Sequence, residues 1–441
     1  MKKLTALLLA LVLLFLAGCQ KNTENLRGDV NSRNALRIFI DIPYARNDIE
    51  RLHFIDDFTI SLKQTGGLEN IVFELLPDRG TERSTAIARL RTEIMAGTGP
   101  DVFIVESGYN HDIFPSLFPF PEKSMDVGLF LPLDEYMENN TEFTEWDKQQ
   151  PTVLAAGRNE EGQQIIPLTY TFPVQTCYTT DFAMEYSDIP LSWQDTLTDP
   201  KLSAAYAKLN DCIDLVYEKD TYGKETFARV HSGYFEHILG RIVDYEEEEL
   251  LFTEEELLVR INEVLTLQKN SSYQEKSIFK DQFMGYSTVN SDMPITFMPM
   301  YSDDGGITAS IRQFAAVNRN TKHPEDAFRV IDVLMRSHTQ LTKPLYIHGF
   351  CSSGLDMLES IPLYDETFHK DSPFDDRYFT DESYESFTQM KKQITAANFR
   401  TSISYDLYML IVQCAGAEVT GDKVEDLVHA AYESMQRKIR E

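Results

Sequence analysis

The side chains with the clearest chemical potential in this sequence are aromatic rings and carboxylates at the ends of predicted strands. A flat ring can pack against the C–H face of a sugar, and a carboxylate accepts hydrogen bonds from its hydroxyl groups. For each position, core packing or a plain surface turn is the competing interpretation. The residues predicted to bind a ligand are Tyr44, Tyr109, Tyr170, Phe172, Trp193, Tyr301, Asp303 and Asp304, with Asp41 and Glu106 as further polar candidates.

Recognisable catalytic motifs are absent from the sequence. It contains no G-x-S-x-G, H-E-x-x-H, Walker or G-x-G-x-x-G pattern. His231 and His237 are six residues apart, so they do not share a helix face and do not predict a zinc site. We therefore expect no enzyme activity, no catalytic residue, no metal and no cofactor. A glycoside-active enzyme stays open as an alternative, because the chain contains 70 Asp and Glu residues that could supply a catalytic pair.

The N-terminus has the three parts of a bacterial export signal. Lys2 and Lys3 precede an apolar run of 14 residues, Leu4–Ala17, which is shorter than the roughly 20 residues of a spanning helix. Leu16-Ala17-Gly18-Cys19 resembles the lipobox of bacterial lipoproteins, which implies a palmitate-bearing Cys19 after removal of residues 1–18. The alternative is an ordinary secretory signal with a chance cysteine. The expected location is outside the cytoplasm, anchored to the cell membrane.

Length and charge constrain the part of the chain after the signal. Residues 19–35 are polar and predict a flexible tether, and the remaining four hundred or so residues exceed the roughly 250–300 of a single core, so two lobes are expected. The net charge is −29, and −31 once residues 1–18 are removed, which argues against nucleic-acid binding. Widely spaced Cys177, Cys212, Cys351 and Cys414 leave the disulfide state open.

The first part of the body alternates between strand and helix patterns. Strands are predicted over Leu36–Ile42, Asn70–Leu76 and Asp101–Val105, with helices over Asp48–Gln64 and Arg79–Ala96 between them. This order favours a parallel sheet with right-handed crossovers. Ligands collect at the carboxyl ends of such strands.

Further elements are predicted along the rest of the chain. Thr253 and Glu256 form a capping box at the start of a helix, and the acidic segment Asp371–Glu385 predicts a surface loop. A polar helical region is predicted from Trp193. The remaining expected strands are 165–169, 175–179, 295–298 and 313–317, and the remaining expected helices begin at Pro324 or cover 405–416 and 424–439.

Several stretches resemble the extracellular solute-binding proteins of bacterial ABC importers, of the maltose-binding type. The most specific is Leu90–Phe103, in which a helix ends at Gly97-Thr98-Gly99 and Pro100-Asp101 leads into a buried strand. Three further stretches occur in the family's order, and no resemblance is apparent over Cys351–Glu385. The three are Gly162–Pro167, Leu191–Leu197 and Phe314–Ala327.

The resemblance implies an α/β, two-lobed periplasmic-binding-protein fold, in which each lobe is a mainly parallel sheet flanked by helices and several strands form the hinge. Lobe 1 would comprise 36–170 plus 313–345, and lobe 2 would comprise 171–312 plus 346–441. The implied function is to capture a sugar or oligosaccharide between the lobes and deliver it to a membrane permease, as a monomer. A polyol, a peptide or a polyamine remains an alternative ligand, and an adhesive lipoprotein remains an alternative class.

Overall fold

The protein is described by a computed structural model over most of its length. The described residues are 26–28, 34–41, 48–77, 80–108, 115–139, 144–178, 235–270, 280–285, 288–289, 295–302, 305–336, 360–371, 378–420 and 423–440. Cys19 and the predicted signal peptide lie outside these ranges, as does the helical region predicted from Trp193.

The described ranges contain the strands and helices predicted there, and they also contain further short strands and helices that the sequence does not predict. The strands are β1 (Leu26–Gly28), β2 (Leu36–Asp41), β3 (Ile71–Leu75), β4 (Val102–Glu106), β5 (Arg158–Asn159), β6 (Gly162–Gln163), β7 (Ile165–Thr171), β8 (Pro173–Tyr178), β9 (Val243–Asp244), β10 (Glu249–Leu250), β11 (Lys280–Phe283), β12 (Ile295–Pro299), β13 (Ile307–Val317), β14 (Ile361–Pro362) and β15 (Ile394–Phe399). The helices are α1 (Asp48–Gln64), α2 (Gly80–Met95), α3 (Pro121–Asp126), α4 (Asp134–Asn139), α5 (Pro151–Ala155), α6 (Glu254–Asn270), α7 (Pro324–Met335), α8 (Asp381–Lys391), α9 (Ser402–Thr420) and α10 (Val424–Arg440).

The largest sheet has the strand order β1-β3-β2-β4-β13-β7-β14, and β15 pairs with β13 off this path. The pairs β2–β3 and β2–β4 are parallel, joined through α1 and α2 as the alternating pattern predicts. The late strand β13 adds antiparallel to β4. A second sheet, β11-β8-β12, is antiparallel throughout. The chain is therefore a mixed α/β protein in which β7 leads from the large sheet into β8 of the second.

Two hydrophobic clusters form separate cores. The first unites the apolar sides of β2, β3, β4, β7 and β13 with those of the helices packed on them. The second is built from residues 235–265, Met300 and the inner faces of α9 and α10. The lobe boundaries stay a prediction, although buried Ile361, Phe387 and Phe399 pack in the first core rather than with the rest of 346–441.

Two local predictions are decided by the structure. The capping box is confirmed, because the Thr253 backbone N–H donates to Glu256 Oε2 at 2.8 Å and the Glu256 N–H donates to Thr253 Oγ1 at 3.2 Å. The surface loop predicted over Asp371–Glu385 is wrong at its end, where Thr380 caps α8 and Phe387 is fully buried. Acidic residues at 381 and 382 favour a helix N-terminus here because they complement its dipole.

The helices of the described ranges are all too short or too polar to cross a bilayer. No group of three or more His, Cys, Asp or Glu side chains in those ranges is placed to hold a metal ion. Cys414 is a free thiol in the second core, and burial raises its pKa to about 12.

Candidate functional site

The carboxyl edge of the parallel strands carries a buried ion pair. Arg83 Nη2 of α2 lies 2.7 Å from Asp41 Oδ2 at the end of β2, and both side chains are almost wholly inaccessible. Arg83 also donates to the carbonyl oxygens of Pro77 and Pro115, which fixes the chain around the same edge. Asp41 is thus committed to Arg83 here, which contradicts its prediction as a polar partner for a ligand.

The aromatic residues predicted at the crossing between the sheets lie in the first core. Tyr170 and Phe172 have 1% and 0% exposure, and their rings stack with centroids 6.3 Å apart. Between them, Thr171 donates its hydroxyl to the Met284 carbonyl oxygen at 2.9 Å, which ties β7 to the segment after β11. Contact of these two rings with a ligand stays a prediction, and in this conformation they pack as core residues.

Tyr301 follows β12 and is only partly buried. Its hydroxyl donates to Gln393 Oε1, just before β15, so the ring links two chain segments that flank the start of β13. Nearby, the Ser302 N–H and hydroxyl both donate to the Gly306 carbonyl oxygen, and the Ser302 carbonyl oxygen accepts from the Gly305 N–H. The other predicted ligand-binding residues lie outside the described ranges, namely Tyr44, Tyr109, Trp193, Asp303 and Asp304.

The start of α9 lies against the carboxyl end of β4, which the sequence does not indicate. Ser107 Oγ donates to the Arg400 carbonyl oxygen at 3.1 Å and accepts from the Arg400 N–H at 2.7 Å. Two turns of α9 then present Tyr405 and Tyr408, both half-buried, with rings stacked 6.3 Å apart. Their i, i+3 spacing is the only sequence signal for this pair, and it is a common one in helices.

A buried histidine next to the second core contacts β13. His237 Nδ1 lies 2.8 Å from the Thr308 carbonyl oxygen, and the Ser310 hydroxyl lies 3.4 Å from Glu236 Oε1. Burial lowers the pKa of His237, so the ring is neutral near pH 7. His237 therefore holds β13 in place against the second core.

A polar cavity of about 760 Å³ lies between the two cores. One wall comes from α3, α5 and β5, a second from Arg241, Tyr245 and the residues around β9, and a third from the end of β15. The lining combines carboxylates, guanidinium groups, one amide of β15 and short apolar side chains. Among the described residues its lining contains no Ser, Cys or His, and its one hydroxyl belongs to Tyr245, so the lining mainly offers a ligand hydrogen-bonding and charged groups.

Glu122 is a strongly perturbed carboxyl in the lining of this cavity. Burial is the main reason that its pKa rises to about 8, Asp126 adds to the rise, and Arg241 and the Phe399 N–H oppose it. Its Oε2 is buried and has no hydrogen-bond partner. Tyr245 faces the same carboxyl, and burial raises the pKa of its hydroxyl well above the usual value. Glu122 is therefore mostly protonated at neutral pH.

Solved structures with the same arrangement cover nearly the whole chain. The sugar-binding protein MalE from Xanthomonas citri superimposes with a TM-score of 0.59 at 11% identity, covering 92% of this chain and 98% of that one. The chain has the fold of an extracellular solute-binding protein. No protein-family model matches the sequence. No curated protein matches it either.

Two further solute-binding proteins share this fold at equally low identity. The extracellular solute-binding protein family 1 member from Alicyclobacillus acidocaldarius has a TM-score of 0.55 at 12% identity, over 92% of this chain and 98% of that one. The cyclic α-maltosyl-1,6-maltose binding protein from Arthrobacter globiformis has a TM-score of 0.52 at 12% identity, over 92% and 99%. The solute-binding fold predicted from Leu90–Phe103 and the later stretches is thereby confirmed.

Proposed function

We propose that this protein is the substrate-binding component of an ABC uptake system, which captures a sugar or oligosaccharide between its lobes and delivers it to a membrane permease. The observation that carries the proposal is a solute-binding fold along the chain with a polar cavity between two cores. Structural neighbours named as a sugar-binding protein and a cyclic α-maltosyl-1,6-maltose binding protein support a carbohydrate ligand.

The binding surface that we propose combines the carboxyl edge of lobe 1 with the start of α9. The stacked Tyr405 and Tyr408 supply an aromatic face beside that edge, and Tyr301 lies near the crossing strands. Tyr44, Tyr109, Trp193, Asp303 and Asp304 are proposed to complete the surface. Closure of two lobes around a hinge buries a polar ligand and displays the closed form to a partner.

A ligand screen tests this proposal directly. The purified protein is heated in the presence of a panel of oligosaccharides, polyols, amino acids, peptides and polyamines, and the ligand that raises the melting temperature is then titrated calorimetrically. A stabilising sugar recovered unchanged supports the transport role, since a ligand that binds only the native state stabilises it. A sugar that is cleaved supports the enzyme alternative. A panel without any stabilising compound contradicts solute capture.

Membrane anchoring is a separate part of the proposal. Cys19→Ala removes the thiol that the Leu-Ala-Gly-Cys stretch implies as the lipid attachment point. We expect the variant to be released from membranes or to remain unprocessed, because stable anchoring requires acyl chains. Cell fractionation with metabolic palmitate labelling measures both effects, and Cys414→Ala is the matched control. A processed Cys19→Ala protein that stays with the membrane would show that the lipobox interpretation is wrong.

A further inference from the structure

Away from the crossing strands, α3 makes a compact contact with the second core. The Phe120 ring, just before α3, lies 6.0 Å from the Tyr245 ring. Lys123 Nζ lies 3.1 Å from Glu248 Oε1 and also donates to the Ile439 carbonyl oxygen near the end of α10. All the partners belong to the second core or its β9–β10 hairpin, and Met125 of α3 packs in the first core, so α3 bridges the two cores.

Glu122 sits between these two bridging residues, and its environment depends on the contact. Arg241 and Tyr245 reach it from the second core, and the end of β15 covers it with the Phe399 N–H. Separation of α3 from the hairpin would return the carboxyl to water. The ionisable groups that line the cavity around it are Asp126, Arg158, Glu160, Glu161, Arg241, Tyr245 and Glu246.

We propose that Phe120, Glu122 and Lys123 form a proton-sensitive latch between the two lobes, in which the protonated Glu122 carboxyl is the form that the closed latch accommodates. The ring contact and the Lys123 bridges hold the lobes in the conformation described. Glu122 makes the strength of this contact depend on pH. Burying a carboxyl whose Oε2 has no hydrogen-bond partner costs much less free energy when the carboxyl is neutral than when it is charged.

The direction of the pH effect follows from linkage. An exposed glutamate has a pKa of about 4.3, whereas that of Glu122 in the closed latch is about 8. Closing the latch therefore takes up close to one proton between these values. The latch is strongest below about pH 4.3, weakens progressively as the pH rises to about 8, and does not weaken further above it.

Hydrogen exchange of the ligand-free, full-length protein tests the latch without knowledge of the solute. The readout is the protection of peptides covering 118–126 and 243–250, corrected for the intrinsic pH dependence of exchange. One linked proton changes an opening equilibrium about tenfold per pH unit. We expect protection in both peptides to fall at least tenfold from pH 5.5 to 7.5, and no such fall in Glu122→Gln.

Two matched variants keep the test decisive. Asp126→Asn removes an exposed acid that only adds to the rise of the Glu122 pKa, so it should shift the fall in protection to a slightly lower pH range but keep most of the pH dependence, because burial is the main cause. Lys123→Met should lower protection in both peptides at every pH while leaving peptides from α1 unchanged. The proposal is overturned if the wild type shows no pH dependence in these peptides, or if Glu122→Gln retains it. Sugar binding is not measured, so failure of the latch leaves the transport proposal intact.

Discussion

Burial determines what individual carboxylates and rings can do in this protein. Asp41 and Glu122 both lie near the region between the lobes, yet Asp41 has a bidentate guanidinium partner and Glu122 Oε2 has none. Strand-end position makes Asp41 a candidate ligand contact, whereas no sequence pattern distinguishes Glu122 from an ordinary surface acid. Only the tertiary structure separates a committed ion pair from a carboxyl held protonated by its surroundings.

The Asp41–Arg83 pair gives the first prediction. Asp41→Ala leaves the Arg83 charge buried without its partner, so we expect the free energy of unfolding to fall by about 3–5 kcal/mol. Urea denaturation monitored by circular dichroism measures the loss. Asp381→Ala is the control, since it removes only an exposed pair with Lys370 and one charge at the N-terminus of α8, and it should shift the midpoint far less than Asp41→Ala. A loss of sugar affinity without a loss of stability would return Asp41 to the ligand site.

Tyr170 and Tyr405 give the second prediction, because one ring is in the core and the other flanks the carboxyl edge. Tyr170→Ala should lower the free energy of unfolding by about 3–5 kcal/mol through the cavity that it leaves. Tyr405→Ala should weaken binding of the sugar found in the screen at least tenfold.

Calorimetric titration and thermal melts of the two Tyr variants separate these effects. Tyr170→Phe keeps the ring and serves as the control for packing. Tyr405→Phe keeps the stacked face and should retain more affinity than Tyr405→Ala. Full affinity in Tyr405→Ala would exclude the start of α9 from the binding surface.

At the scale of elements, local patterns predict those segments that are periodic and locally capped. The helix over Asp48–Gln64 and the strand ending at Glu106 are within a residue or two of their predicted bounds. β13 is the instructive exception, since the sequence predicts only its second half, 313–317. Its first half carries Thr308, Ser310 and Arg312 in a fully buried strand. Pairing with β7 and β15 stabilises those polar residues there, and no local pattern shows such long-range partners.

The same limit applies to the candidate site. The sequence predicts Tyr405 and Tyr408 simply within a closing helix, and it does not single out Glu122 at all. Each acquires its role from a contact with a segment more than a hundred residues away in sequence, such as Ser107 with Arg400 or Phe120 with Tyr245. Charge, ring and spacing predict chemistry at a residue, but they do not predict which distant element will cover it.

Two glycines give a prediction at this scale. Gly306 precedes β13, and a Cβ added there would collide with the Thr395 side chain of β15. Gly306→Ala should therefore destabilise the β13–β15 pairing and lower the melting temperature. Gly416→Ala, inside α9 with open space around the added methyl, should instead stabilise the protein by about 0.5–1 kcal/mol. Differential scanning calorimetry measures the melting temperature of each variant. Equal shifts in the two variants would show that the contact between Gly306 and β15 does not limit the stability of the protein.

At the scale of the whole molecule, the two separate hydrophobic cores and the hinge that the resemblance implies predict a change of shape on binding. We expect the radius of gyration from small-angle X-ray scattering to decrease at saturating sugar, because the ligand favours the form that buries it. The Tyr405→Ala variant at the same sugar concentration is the control for incomplete binding. A scattering profile that is unchanged at saturation would contradict closure and leave a rigid binding cleft.

The placement of β13 also determines when the first lobe can finish folding. A chain that emerges N-terminus first presents β2, β3 and β4 long before residues 307–317 become available to cover the open edge of β4. Until then, a buried apolar strand exposes unpaired backbone groups to other chains. The N-terminal third of this protein is thus expected to aggregate when expressed alone, and its solubility depends on a strand that arrives two hundred residues later.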